Sequence, residues 1–494
     1  MMIIPNRQTP GILRLLLSAG PVRCRMKFML PLLLWITLLP AGCATTPVVP
    51  VAPPLTDVGS LTVYLQPLPQ EAHRLTFEIA GIRAIREDGG ETRLAWDLPP
   101  LKADQLIGLQ KRLLTDRLPP GRYRGLALQF SAATLLGEEG EAALSVPVAP
   151  VIAEQKFTIE QGRATTLFLT LLPEWILQDG FRLNPRFSLV KPQRLLISLK
   201  GFVSNPGDNS MTVFDKTQAL AADTIALGAR PQGIALDQAG ELLYVALSDR
   251  NAIEVIEINN AVIIGSITLR FGDEPTEIVL DRQGRTLVSI NPGSQTSSII
   301  DTASLTEVDR IRFASEPADI FRSAVASRAF VLLPDTNSIS LVDFSSPRKA
   351  DVLTVTLDET PLRGLAAGNG DGLYLLTRFS SNLLVLDEET LAIRTRIYIG
   401  SGAQDLVEDP NGLLYVVGDK GEIAVVDPSV GAVIDSFPVP RGARSVTLDT
   451  DQNALFVAYP QRGVVEKFDL VGKRSRGVLE AGAGAYTSVV MGER

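Results

Sequence analysis

The sequence predicts a mostly β chain, a two-layered β domain followed by a ring of repeated four-stranded units. Three observations predict it. Short runs rich in Val, Ile and Leu alternate with polar residues at a period of two, as half-buried strands do. Turn formers are plentiful, with 40 glycines and 33 prolines in 494 residues. From residue 201 onward the same pattern returns about every 42 residues. The chain is too long for one small core, so two or more domains are expected.

Composition excludes several classes of function. The net charge of −8 and the absence of a basic stripe argue against nucleic acid as a partner. Cys24 and Cys43 are the only cysteines and His73 the only histidine. No disulfide framework can staple the folded part. Zinc, copper and haem sites built from His and Cys are ruled out, as are Ser-His-Asp or Cys-His nucleophiles in the C-terminal two-thirds. His73 lies between strands with no accompanying ligand set, so it reads as a satisfied surface histidine.

The N-terminus reads as an address. Arg23, Arg25 and Lys27 precede the apolar run "FMLPLLLWITLL" (28–39). Twelve residues are too few to span a bilayer, which takes about 20. Positive flank, short apolar core and small residues before a cut site make a secretory signal peptide over 1–42, and Met26 is an alternative start. "AGC" (41–43) resembles the lipobox of bacterial lipoproteins, with Pro40 where leucine is usual. The resemblance implies cleavage before Cys43, lipidation of Cys43 and attachment to a membrane through that anchor. Ala44 follows the cysteine where aspartate would signal inner-membrane retention, so the same resemblance favours the outer membrane of the cell envelope. An ordinary signal peptide with a chance cysteine is the other reading. Residues 43–58 form a tether, and Pro47, Pro50, Pro53 and Pro54 bias it to an extended polyproline form.

Residues 59–198 are expected to form a β-sandwich with one helix. "SLTVYLQPLP" (60–69) and "LTFEIAGIRAI" (75–85) alternate as strands. In "LKADQLIGLQKRLLTDR" (101–117), Leu106, Leu109, Leu113 and Leu114 share one helical face, which predicts the helix. "LPPGRYRGLALQF" (118–130), "KFTIEQGRATTLFLTL" (156–171) and "FRLNPRFSLV" (181–190) read as turn plus strand. Together these segments resemble a domain of unknown function found near the N-terminus of bacterial lipoproteins, which implies no activity.

Residues 199–494 repeat. "LLYVAL" (242–247), "TLVSIN" (286–291), "RAFVLL" (328–333), "GLYLLT" (372–377), "LLYVVG" (413–418) and "ALFVAY" (454–459) correspond, with "GFVSN" (201–205) opening the series. Each is followed by a second strand, closed by Asp215, Asp301, Asp343, Asp387, Asp427 or Asp469, with Glu257 in that place once. Aspartate there suits a tight turn. Four strands per unit at this period is the spacing of a β-propeller, here seven-bladed, with a solenoid as the alternative. The phase favours the ring. The repeats start on a second strand and end on an inner one, "AYTSVVM" (485–491), so the C-terminal strand would close the first blade and leave no open edge. The units resemble YVTN-type propeller repeats, a likeness that specifies fold and not function.

The start of each inner strand should face the mouth of the central channel. Register places Gly233, Glu277, Asp319, Arg363, Asp405, Ser445 and Thr487 there. Glu277, Asp319 and Asp405 could hold calcium through oxygen ligands, or Arg363 could neutralise them instead. No other cofactor is expected. Two function classes remain: a lipid-anchored binding or scaffold protein engaging a protein, peptide or glycan, and a carboxylate- or calcium-dependent propeller enzyme, lactonase-like or quinoprotein-like. The shortage of catalytic side chains favours the first.

Overall fold

The computed structural model describes residues 55–492 apart from Asp97, Trp175, Pro347 and Arg348. Cys24, Cys43, the signal segment and most of the tether lie outside the described residues.

Residues 59–190 build two large sheets around one core, with a short two-stranded one of Leu177–Gln178 and Arg182–Leu183. The first has the strand order Phe187–Val190, Ala164–Leu171, Gly59–Leu65, Lys111–Leu118. In the second, Leu75–Arg86 and Gly121–Gly137 pair along most of their length, with Val151–Ile159 alongside. Leu61, Val63 and Leu65 of the first sheet pack against Ile79, Ile82, Leu126 and Leu128 of the second. The "EQG" turn sends its flanking strands to different sheets, Val151–Ile159 to the second and Ala164–Leu171 to the first, parallel to Gly59–Leu65.

The expected helix over 101–117 is absent. Ala103–Leu106 is a single 3-10 turn, and Lys111–Leu118 is a strand paired antiparallel with Gly59–Leu65. Gly108 has φ +68°, a left-handed conformation that ends any helix at this point. The register shifts between Val63 and Tyr64, so Leu113 is an extra residue opposite them. That bulge buries the adjacent Leu113 and Leu114 together, which strict alternation would not. The leucine spacing that imitates a helical face is the product of a turn, a glycine and a bulge.

Residues 200–490 form seven four-stranded antiparallel sheets. Their inner strands are Ser488–Val490, Pro231–Asp237, Ile278–Leu280, Asp319–Arg322, Pro361–Ala366, Ala403–Glu408 and Ser445–Asp449. Each inner strand touches the next, and Ser488–Val490 touches Pro231–Asp237, so the ring is closed. This is a β-propeller arrangement. The C-terminal strand supplies the inner position of the sheet begun by Lys200–Asn205, as the phase of the repeats requires. The closing acidic residues cap turns: Asp215 accepts from the Thr217 N–H at 2.7 Å, Asp427 from Ser429 at 2.9 Å and Glu257 from Asn259 at 2.9 Å.

The closing seam holds a buried cation. Lys216 is 2% exposed and donates to Asp449 at 3.0 Å, Asp451 at 2.6 Å and the Met491 carbonyl at 2.6 Å. The seam thus ties the first sheet's second strand to the seventh sheet and to the C-terminal segment.

The two parts belong to one compact unit. Gly59–Leu65 is buried on both faces because the ring covers the side that the second sheet does not. Tyr64 and Phe168 join a cluster with Phe214 and Phe456 of the ring. Around it, Arg112 pairs with Asp208 at 2.6 Å, Lys111 with Glu480, and the buried Gln110 exchanges two hydrogen bonds with the Ala221 main chain.

Candidate functional site

Neighbouring inner strands run side by side around the axis. Their first residues therefore converge at one end of the channel. Glu277, Asp319, Arg363 and Asp405 do meet there, and Arg363 is the hub. Its guanidinium donates to Asp319 at 2.7 Å, Asp405 at 3.2 Å and Glu277 at 3.4 Å. All four side chains are at most 15% exposed.

Further donors meet the three carboxylates. The Gly364 N–H donates to Asp319 at 2.9 Å, the Leu406 and Val446 N–H groups to Asp405 at 3.0 and 2.9 Å, and the Tyr486 hydroxyl to Glu277 at 2.7 Å. Ser445 lies one step out, its hydroxyl donating to the Tyr486 carbonyl at 3.0 Å. Gly364 is required by packing. A Cβ there would lie 1.9 Å from the Phe321 ring, and that close approach brings its N–H onto Asp319.

Charge follows geometry. Burial pushes the Asp319 carboxyl up to about 6, helped by Glu277 and Asp405 and opposed by Arg363 and the Gly364 N–H. Burial also works against the Arg363 charge, yet Asp319, Asp405 and Glu277 outweigh it and hold the guanidinium well above its usual range. Burial, then the Glu277 charge, pushes the Tyr486 hydroxyl up, so it stays a donor.

Two expected members fall outside the network. Gly233 contributes only a main-chain bond to Thr276, at 2.7 Å. Thr487 uses its carbonyl in the sheet, accepting from the Ser204 N–H at 3.1 Å. Its neighbour Tyr486 takes the place assigned to it, one residue off the strict register. Of the two readings of Glu277, Asp319 and Asp405, the geometry here is that of neutralisation by Arg363. The space between the carboxylates holds the Arg363 guanidinium, which supplies the positive charge assigned to an ion. Among the described residues, no group of three or more His, Cys, Asp or Glu side chains is arranged to hold a metal. His73 rests its ring on the Leu68 carbonyl at 3.3 Å.

The same end of the ring carries exposed aromatic side chains that the sequence reading did not single out. Strand direction puts the loops leading into inner strands, and those joining each second strand to its third, at this end. Phe271, Phe379 and Tyr398 sit there, 99%, 86% and 71% exposed. A signal was present: aromatics in glycine- and serine-rich loops of an otherwise aliphatic repeat.

Ring and site together define a β-propeller protein that carries an N-terminal β domain. No family model and no curated protein matches the chain. Among solved structures it is similar to a functionally unknown protein from Desulfotomaculum acetoxidans, at 12% identity and TM-score 0.54, over 60% of this chain and 100% of that one. It is also similar to the Cps50 (Swd1) β-propeller domain of Myceliophteria thermophila, at 13% identity and TM-score 0.45, over 51% and 86% of the two chains. A third is the dihydro-heme d1 dehydrogenase NirN, at 13% identity and TM-score 0.47, over 61% and 78%. At these identities the likeness is one of fold alone.

Proposed function

We propose that the chain is a lipid-anchored protein of the bacterial cell envelope, held at Cys43 in the outer membrane by the proline-rich tether and acting as a binding platform. Its YVTN-like propeller engages a protein, peptide or glycan partner. The observation that carries the binding reading is the set Phe271, Phe379 and Tyr398, exposed on one face of the ring. Exposed aromatics give large contact area at low entropic cost and are enriched in binding surfaces. The buried Arg363 network beneath them supports the reading, because it braces the inner strands into which the chain leads from Phe271 and Tyr398.

The test has two arms. Labelling cells with an alkyne fatty acid should mark the wild-type chain and not Cys43→Ser; equal labelling ends the anchor reading. Crosslinking in intact envelopes should give a defined adduct that the double variant Phe271→Ser, Phe379→Ser loses while keeping its melting temperature. An adduct indifferent to both substitutions ends the assignment of this face.

A further inference from the structure

We propose that the opposite end of the channel binds an apolar-tailed anion, its tail in a chamber between four inner strands and its head on Arg322 and Arg282. The chamber measures about 360 Å3 and lies beyond the Arg363 network, toward the ends of the inner strands. Ile234, Val279, Ile320 and Leu365 give it aliphatic walls, one from each of four successive strands. That volume falls in the range of small-molecule clefts, roughly 300–1,000 Å3.

The polar groups considered for the head are two cations that hold main-chain carbonyls. Arg322 ends the strand Asp319–Arg322 and lines the chamber. Arg282 follows the neighbouring strand and donates to the Ala324 carbonyl at 2.8 Å, and Ala324 lines the same chamber. The other main-chain bond is from Arg322 to the Ser323 carbonyl at 3.3 Å. Among the described residues, neither guanidinium makes an ion pair, in contrast to Arg363 with three.

Asp281 faces Arg322 as well, but one of its oxygens accepts the Arg285 N–H at 2.7 Å. Burial and the Arg282 charge outweigh Asp281 and hold the Arg322 guanidinium below its usual range. Two like charges held side by side repel each other, and an anion shared between them relieves that repulsion. A carboxylate suits the site, because each guanidinium has further N–H groups to offer and charge-assisted bonds are the strong ones. The aliphatic walls accept the tail, whose burial supplies the rest of the affinity. The inference does not depend on the anchor or on the aromatic face.

Calorimetry on the full chain in lipid nanodiscs, with empty nanodiscs subtracted, tests it. The probes are octanoate, octanol and acetate. Octanoate should bind saturably, and octanol and acetate at least about tenfold more weakly, the loss expected for a missing charged bond or a missing tail. Arg282→Gln with Arg322→Gln should weaken octanoate about tenfold and leave octanol unchanged. Ala324→Asp should do the same by supplying an internal counterion. All three residues are at or near the surface, and an unchanged melting temperature verifies the fold. Absence of saturable octanoate binding, equal affinity for octanoate and octanol, or indifference to the arginine substitutions would each overturn the proposal.

Discussion

Replacing Arg363 by Met isolates the energetics of the axial network. The substitution keeps much of the side chain's volume and removes the charge. It leaves Glu277, Asp319 and Asp405 facing each other with side-chain exposures of 11%, 4% and 11%. Removing one partner of a buried ion pair typically costs about 3–5 kcal/mol, because the orphaned charge remains desolvated. The loss should depend on pH. Asp319 is already raised to about 6 in the folded chain, above its ordinary 3.8, and without Arg363 it rises further. A carboxyl raised on folding costs stability above its folded pKa, and the cost is relieved as pH falls toward the unfolded value. Thermal melting followed by far-UV circular dichroism should therefore show a larger deficit at pH 7.5 than at pH 5. Adding Asp319→Asn to Arg363→Met should recover part of the deficit at pH 7.5. Equal melting of wild type and Arg363→Met at pH 7.5 would refute the reasoning, as would a deficit that grows on acidification.

Other perturbations test the frame around the network. Lys216→Met should cost about 3–5 kcal/mol by stranding Asp449, whose side chain is 0% exposed, and should loosen the C-terminal strand first; amide exchange at residues 488–490 reads this directly. Gly364→Ala places a Cβ against the Phe321 ring, and overpacking of this kind costs about 1–3 kcal/mol, visible as a lower melting temperature. Glu254 is pushed up to about 7 by burial despite Arg250, so its charge costs stability above that pH. Glu254→Gln should thus raise the melting temperature at pH 8.5 and leave it unchanged at pH 5.

The ring was legible because repetition averages out local ambiguity. Seven copies of a pattern such as "LLYVAL" make the period visible even where an inner strand, such as Ile278–Leu280, shrinks to three residues. The axial residues were legible for the same reason, since register alone put Glu277, Asp319, Arg363 and Asp405 at equivalent positions. Their division of labour was not. A sequence shows three carboxylates and one arginine at one level; only geometry shows the arginine inside the triangle. Tyr486 was missed because the loop into the last inner strand shifts the register by one, and its hydroxyl crosses the axis to Glu277. The 101–118 segment misled for the opposite reason. It occurs once, and Leu113 and Leu114 are explained by a bulge opposite Val63 and Tyr64, a feature of strand pairing that no local pattern encodes.

The two ends of the channel use arginine in opposite ways, and the difference is physical. At the closed end, three carboxylates surround one guanidinium, and main-chain N–H groups and a tyrosine hydroxyl take up the rest. Such an assembly is largely committed internally: Arg363 is bonded to all three carboxylates, which outnumber it. At the open end, Arg282 and Arg322 hold only carbonyls, above aliphatic walls. The channel therefore differs along its axis, with three carboxylates around one guanidinium at one end and two guanidinium groups on main-chain carbonyls at the other. An anion entering from the open end is drawn to the rim and repelled from the network beyond the chamber. An apolar tail, by contrast, gains by going deeper. Those opposed preferences orient a tailed anion in one way only, head at the rim and tail inward. Reversing the rim charge with Arg322→Glu should accordingly do more than weaken octanoate binding. It should turn the preference toward an octylammonium probe, an exchange of selectivity that loss of shape alone could not produce.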